Sequence, residues 1–534
     1  MEEKYFKERK EKFDDIFNDD TNDKIEQKLS LRKTKKNEIL MSKRAKLLND
    51  NKLSVYEPEI DKQKLSNKIL ELYEEEKNIN HENIEIIISK YFNYLEKTNH
   101  DNYDDSYFIL ERLLFIISSM NNENLYKATD YLSLGHKLFD VFENYTFVNK
   151  IHIYQTFKIL VNISMRKNKE LMSKLMNLTS VKYIYYFLNE LLNDVNNNCE
   201  LVCQILLFLM NLLEDNQFIQ YIYYKHKIFD LLYNFIFVHK DTTDTKERNI
   251  NHHIVTFFSL FIAVQLDQNE EIFITDKKDI LEKLYNLFEY FLIENYNNKD
   301  LLLDVVWGLS NILMQISEKD DFVDVLCQKY FDNILDKLRI LIKIDTDFVV
   351  PIFRIIGNLT SLKDNYCEKF FDDFWSKYLL GLLVDQILPK HKILIIWILH
   401  NICAGTNFKC VYKYNMDKVL INLLIKENNS EVLFHLLKLY FGIINNSKND
   451  FINDILVESI ITIIKKDINE KINLVCCFFC EKIFEGKFTD LINKLNENNI
   501  KEILENWSLS DNEEMKNSSS YLLENYYNKN DSQI

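Results

Sequence analysis

Six asparagines set the architecture open to this chain. Asn162, Asn211, Asn311, Asn358, Asn401 and Asn445 each stand near the end of an apolar run, at steps of 49, 100, 47, 43 and 44 residues. The step of 100 divides into two of 50, with Phe261 where the middle asparagine would stand. An apolar unit recurring with a period in the forties cannot bury its face alone and stacks on copies of itself. Only 7 Gly and 3 Pro occur in 534 residues, whereas compact β folds need turn residues at many positions. The Leu/Ile/Phe/Lys/Glu/Asn runs, roughly 10 to 18 residues long and separated by short Asn/Asp-rich breaks, therefore read as helices. The expectation is an all-α superhelical array with one continuous core and a long concave groove.

Within that register three strings carry the sharpest signal. VVWGLSNIL (Val305 to Leu313) sets Trp307 four residues before Asn311. VVPIFRIIGNLTS (Val349 to Ser361) sets Arg354 before Asn358, and KILIIWILHNICAG (Lys392 to Gly405) sets Trp397 before Asn401 at the same spacing. Residues four apart lie one turn above each other on a single helix face. Each string thus places a large flat side chain beside an amide, and stacked helices align these pairs into a ladder. Asn is abundant throughout, so a lone Asn says little; the shared register carries the argument.

Charge is uneven. Net charge is −16, yet residues 24 to 47 hold nine Lys/Arg against two acids, so that stretch is +7 and the remainder −23. A basic segment joined to an acidic body suits partners of opposite sign, or one end folding on the other; a nucleic-acid binder is more often basic throughout. The nine cysteines, Cys199, Cys203, Cys327, Cys367, Cys403, Cys410, Cys476, Cys477 and Cys480, show no paired zinc spacing and suit a reducing compartment; the trio at 476 to 480 sits in an apolar helical run and reads as buried thiols. The charged N-terminus has no signal-peptide pattern, and no charge-free apolar run is long enough to span a bilayer. A phosphate-binding Gly loop, H-E-x-x-H and G-x-S-x-G are all missing, so the chain does not read as an enzyme and no cofactor is expected. The pair His252–His253 reads as a surface feature at a loop edge.

The expected organisation follows from these shifts. A charged, disordered start (1–23) precedes a basic segment (24–48), a linker with a first helical pair (49–104, helices at 61–76 and 82–96), the repeat array (105–527) and a short tail (528–534). Whether FILERLLFIISSM is a first repeat or a capping unit stays open.

The strings together resemble the importin α family, which implies a right-handed armadillo-repeat superhelical solenoid of about ten repeats with a flexible basic N-terminal helix. LRKTKKNEILMSKR, with Leu31, Arg32, Lys33, Lys35 and Lys36 followed by Lys43 and Arg44, is similar to that family's importin-β-binding segment. VVPIFRIIGNLTS resembles the sixth armadillo repeat, where Arg replaces the ladder Trp, and WILHNICAG resembles the seventh. WGLSN is similar to the fifth, which usually lacks the Asn. CEKIFEGK (Cys480 to Lys487) and the stretch Ile500 to Tyr527 resemble the last two. The resemblance implies an adaptor that binds basic nuclear localisation signals in its groove, binds importin β through Arg32, Lys33, Lys35, Lys36, Lys43 and Arg44, and returns with an export receptor and Ran-GTP. It implies shuttling between cytoplasm and nucleus, without direct nucleic-acid or membrane contact. Stacked indoles would hold Lys and Arg stems, and Asn amides would hold the peptide backbone.

The departures from the family are equally specific. The smaller binding site is kept as Arg354, Asn358, Trp397 and Asn401, with Phe441 and Asn445 as a weakened last rung. The larger site has decayed: Asn162, Asn211, Asp215, Trp307 and Asn311 remain, but Lys158 and Leu207 replace two ladder indoles, and Phe258 and Phe261 replace a whole rung. Lys158 and Arg166 would repel a basic peptide. The earlier signal-mimicking cluster is replaced by FNDDTNDKIEQK (Phe17 to Lys28), so autoinhibition is expected to be weak or to act through Lys43 and Arg44. The alternative reading is a divergent armadillo scaffold with a specialised partner and reduced signal-peptide binding.

Overall fold

The computed structural model describes residues 65–78, 83–97, 103–120, 150–165, 178–213, 227–263, 277–294, 297–316, 322–362, 366–367, 370, 372–384, 387–404, 415–446 and 452–527. All regular structure among them is helical. The basic residues Arg32, Lys33, Lys35, Lys36, Lys43 and Arg44, as well as Arg166 and Asp215, lie outside the described residues, as does the side chain of Asn445.

The helices form two compact units. The first runs to Phe291 and takes in Asn295–Asn311; the second comprises Leu292–Glu294 and the chain from Ile312 onward. In the first unit α1 (Asn67–Glu76), α2 (Ile84–Lys97) and α3 (Tyr103–Ser119) pack in succession. Then α3 packs on α4 (Lys150–Ser164), α4 on α6 (Val195–Leu212), and α6 on α8 (Thr245–Ala263). Against this row lie α5 (Leu178–Leu191), on α6, and α7 (Ile228–His239), on α8. The remaining helices here are α9 (Lys277–Ile293) and α10 (Lys299–Met314).

The second unit repeats the plan. After α11 (Val323–Lys329), a π turn at Tyr330–Ile334 leads into α12 (Leu335–Ile344). One row then comprises α13 (Val349–Leu362), α15 (Pro389–Ala404), α17 (Ser430–Asn446), α19 (Glu470–Glu485) and α22 (Glu513–Leu522), each packed on the next. The other row comprises α14 (Asp373–Val384), α16 (Met416–Lys426), α18 (Asp454–Lys466) and α21 (Ile500–Trp507), with α20 (Thr489–Glu497) beside α21. Cross-contacts α14–α15, α16–α17, α18–α19 and α21–α22 join the rows. This is a two-layered helical repeat.

Burial follows the plan. Every residue from Leu201 to Leu213 is buried, as expected of a helix with neighbours on nearly every side. The breaks supply the caps. The Asn453, Asn469 and Asn429 side-chain oxygens accept from Leu456, Ile472 and Val432 backbone N–H groups, each at 3.0 Å. Each satisfies one of the donors a helix start leaves unpaired. Among the described residues no glycine has positive φ; Asn415, Asp467 and Asn499 take left-handed turns instead, joined by Lys227 and Lys487. Asn and Asp tolerate that conformation best after glycine, which is how a chain so poor in glycine still reverses direction.

The first three helices share a buried ionic knot. Arg112 on α3 donates through Nε to both Glu76 carboxylate oxygens at 3.1 Å, and through Nη2 to Oε1. Tyr91 on α2 donates its hydroxyl to Glu76 Oε2 at 2.5 Å. Burial together with the adjacent Glu76 charge pushes the Tyr91 phenol far above its ordinary range.

Two expectations need correction. His252 and His253 lie within α8, not at a loop edge. His252 Nε2 stands 3.4 Å from the buried Asp304 carboxylate, and His253 Nδ1 stands 2.9 Å from the Asn249 backbone oxygen. The spacing of apolar residues around NHH is helical; the pair of polar side chains concealed it. The first predicted helix starts at Asn67 rather than at 61, because Ser66 is extended.

Candidate functional site

The ladder asparagines fall within a turn of the ends of α4, α6, α10, α13, α15 and α17. Four of them bond to a preceding helix. Asn162 Nδ2 donates to Ser118 Oγ at 3.0 Å, and Asn211 Nδ2 to Ser164 Oγ at 2.8 Å. Asn311 Nδ2 donates to the Ser259 carbonyl at 3.1 Å, and Asn401 Nδ2 to the Gly357 carbonyl at 3.0 Å. The partners lie 44, 47, 52 and 44 residues upstream, about one repeat. An Asn carboxamide offers two N–H donors and an acceptor oxygen, so each clip consumes one donor. Asn358 departs from the pattern: it is 6% exposed and its buried Nδ2 has no hydrogen-bond partner.

The flat side chains divide by burial. Trp307 is 2% exposed and Arg354 5% exposed, so both lie within the packed body. Trp397 and Asn401 are half-buried, one turn apart on α15. The Trp397 indole lies on α13 at Gly357, where any Cβ would overlap the ring. Gly357 therefore seats the indole and supplies the carbonyl that Asn401 grips, one residue before Asn358. Gly308 stands in the same relation to Phe288.

Rungs that lack an indole have been absorbed into the core or carry a cation. Phe258 and Phe261 are fully buried around Phe229, with ring centroids 5.0 and 5.4 Å away. Phe441 is buried against Phe479, with centroids 5.3 Å apart. Lys158 is half-buried, four residues before Asn162, with its ammonium 4.8 Å from the Tyr154 ring centroid. Lys438 is buried, with its ammonium 5.3 Å from the Phe434 ring centroid. It stands on α17 one turn before Phe441, a cation on the stripe that the sequence reading did not single out. Its signal was the F-x-x-x-K-x-x-F spacing from Phe434 to Phe441. At the C-terminal end Asp511, Glu513, Glu514 and Glu524 are exposed.

No group of His, Cys, Asp and Glu among the described residues is arranged to hold a metal. No helix among them is long and apolar enough to cross a membrane.

These features define a helical-repeat protein in which periodic amides clip successive helices, with a half-buried indole–amide pair on α15. No protein-family model matches the chain, and no curated protein matches its sequence. Among solved structures it is similar to an engineered protein determined by the Northeast Structural Genomics Consortium, with a TM-score of 0.60 and 16% identity over 84% of this chain and 99% of that one. That likeness shows the fold alone. It is also similar, with a TM-score of 0.43 and 14% identity, to Kap121p bound to RanGTP; the match covers 85% of this chain and 45% of that one.

Proposed function

We propose that this chain is an importin α-type armadillo adaptor whose peptide-binding work rests on its smaller site. The observation that carries this reading is the Trp397–Asn401 pair: half-buried, one turn apart, and fixed to α13 at Gly357. An indole seated on a neighbouring helix and only half-buried can take the aliphatic stem and charge of a Lys or Arg. The adjacent carboxamide retains a donor and an acceptor for a peptide backbone. In this reading the basic segment at 24–48 binds importin β, the acidic C-terminal helix meets an export receptor with Ran-GTP, and the protein shuttles between cytoplasm and nucleus.

A second reading, a specialised scaffold with reduced signal-peptide binding, is favoured by Lys158 on the stripe beside Asn162 and by the enclosure of Trp307. Calorimetric titration of the full chain with a monopartite and a bipartite signal peptide, importin β being present to engage the basic segment, separates the two. Micromolar or tighter binding that Trp397→Ala abolishes and Asn211→Ala preserves is the expected result. No binding of either peptide sinks the general adaptor and leaves the scaffold.

A further inference from the structure

A different feature of the first unit concerns its thiols. Cys199 and Cys203 stand one turn apart on α6, and α8 covers them with three polar groups. Asn249 Nδ2 lies 3.9 Å from Cys199 Sγ and 3.6 Å from Cys203 Sγ. His253 Nδ1 lies 3.7 Å from Cys203 Sγ, and Lys246, whose carbonyl lies 3.6 Å from Cys199 Sγ, is anchored through Nζ to the Asn196 carbonyl at 2.6 Å. Among the described cysteines only Cys199 is half-exposed; Cys203, Cys327, Cys367, Cys403, Cys476, Cys477 and Cys480 are buried.

We propose that Cys199 is a reactive thiolate site for two-electron oxidation by hydroperoxides, with Cys203 as the thiol that resolves it. A thiolate is stabilised where donors and positive charge lie near and solvent still reaches it; Cys199 is half-exposed, Asn249 Nδ2 donates toward it at 3.9 Å and the Lys246 charge favours its ionised form, although as a thiol it donates to the Lys246 carbonyl. The hydrogen bond from Cys203, opposed by burial and aided by Asn249 and Lys246, holds the Cys199 thiol down to about 7, against the neighbouring Glu200 charge. The same bond, with burial, pushes Cys203 up, so the two sulfurs are differentiated as acceptor and donor. His253 also faces Cys203, and Tyr154, whose phenol burial raises, stays neutral beside it.

The chemistry balances without further groups. The Cys199 sulfur attacks one peroxide oxygen, the O–O bond breaks, and hydroxide leaves and takes a proton from solvent, giving a sulfenic acid. The Cys203 sulfur then attacks Cys199, the S–O bond breaks, and water leaves carrying the Cys203 proton. Hydrogen peroxide is the two-electron oxidant, and two waters form for each disulfide. Residues four apart on a helix have Cβ atoms about 5–6 Å apart, wider than a relaxed disulfide. Closure therefore strains α6, and the bond is readily reduced. Leu207 and Asn211 stand one and two turns beyond Cys203 on the same stripe, so closure acts where Asn211 clips α4.

The full chain would be alkylated with limiting iodoacetamide from pH 5.5 to 9.5 and mapped by mass after digestion, which separates Cys199 from Cys410. The expected result is labelling of Cys199 with a midpoint near pH 7, shifted upward in Asn249→Ala. Hydrogen peroxide should then remove two mass units from the wild type, reversibly with dithiothreitol, and Cys203→Ser should yield a dimedone-trapped sulfenate at Cys199. A labelling midpoint at Cys199 near the ordinary thiol value of about 8.5 overturns the proposal, as does a peroxide-treated wild type whose Cys199–Cys203 peptide keeps its mass. Both overturning results are read on the wild type, so they stand even if a variant misfolds.

Discussion

Asn401 donates its side-chain amide to the backbone carbonyl of Gly357, 3.0 Å away and 44 residues earlier. The residue chosen from the sequence as a peptide ligand is also a structural clip between adjacent helices. Asn211 does the same with Ser164. A periodic asparagine can thus be held by packing and by binding at once, and stability and affinity must be measured separately.

For Asn401→Ala and Asn211→Ala we expect a loss of about 1 kcal/mol each, the net worth of a neutral hydrogen bond. Neither partner is left without a hydrogen bond: Thr360 Oγ1 still donates to the Gly357 carbonyl, and Ser164 Oγ still donates to the Val161 carbonyl. Asn401→Asp should cost more at neutral pH, since a carboxylate cannot donate and would face a carbonyl oxygen. Urea unfolding followed by circular dichroism reads all three. Equal midpoints for the Asp and Ala variants would contradict this account of the clip.

Gly357→Ala tests the seat of the indole. An added Cβ would run into the Trp397 ring, a rigid group with no flexible end to move aside. Overpacking of this kind costs roughly 1–3 kcal/mol. Trp397→Leu in the same chain should recover part of the loss, giving a coupling energy in a double-mutant cycle. Additive effects would mean the two residues do not touch.

Much of the fold was legible because period and composition are statistical properties of long segments. The asparagine register located the ends of α4, α6, α13 and α15, and the shortage of glycine and proline excluded β structure. Burial at single positions was not legible. Trp307 and Trp397 sit in strings of the same form, yet one is enclosed and the other half-exposed, a difference set by neighbouring helices. Gly357 could be read as part of a motif, but not as the seat of an indole a repeat away. His252 and His253 read as loop residues because they close a mostly polar stretch that begins at Asp241, ahead of the apolar run, although Asp304 and the Asn249 backbone accommodate them within the helix. The cation Lys438 was missed because its aliphatic stem lets it sit in a buried row.

The knot at Glu76, Arg112 and Tyr91 predicts asymmetric costs. Arg112→Met leaves a buried carboxylate without its cation and should destabilise the first unit by about 3–5 kcal/mol. Pairing it with Glu76→Leu should restore much of that, because an apolar replacement of a whole buried ion pair is often neutral or better. Thermal unfolding of the two variants decides. A double variant no more stable than Arg112→Met would show that Tyr91, left without its acceptor, carries the cost.

His152 gives the first unit a defined acid sensitivity. Its ring is fully buried on α4, and desolvation holds its pKa down to about 4, below the ordinary 6.5. At pH 7 the ring is neutral in both folded and unfolded chains and favours neither. As pH falls below 6.5 the unfolded chain takes up a proton that the folded chain refuses until about pH 4. Stability is therefore full above 6.5 and lost progressively across that interval. At about 1.36 kcal/mol per unit, the loss between pH 7.5 and 5 is about 2 kcal/mol. His152→Phe keeps a ring in the cavity and removes the proton site. The difference between wild-type and variant unfolding energies, measured at both pH values, isolates the histidine from the carboxylates. It should shrink or reverse at pH 5, and a difference that stays constant would mean the ring protonates normally in the folded chain.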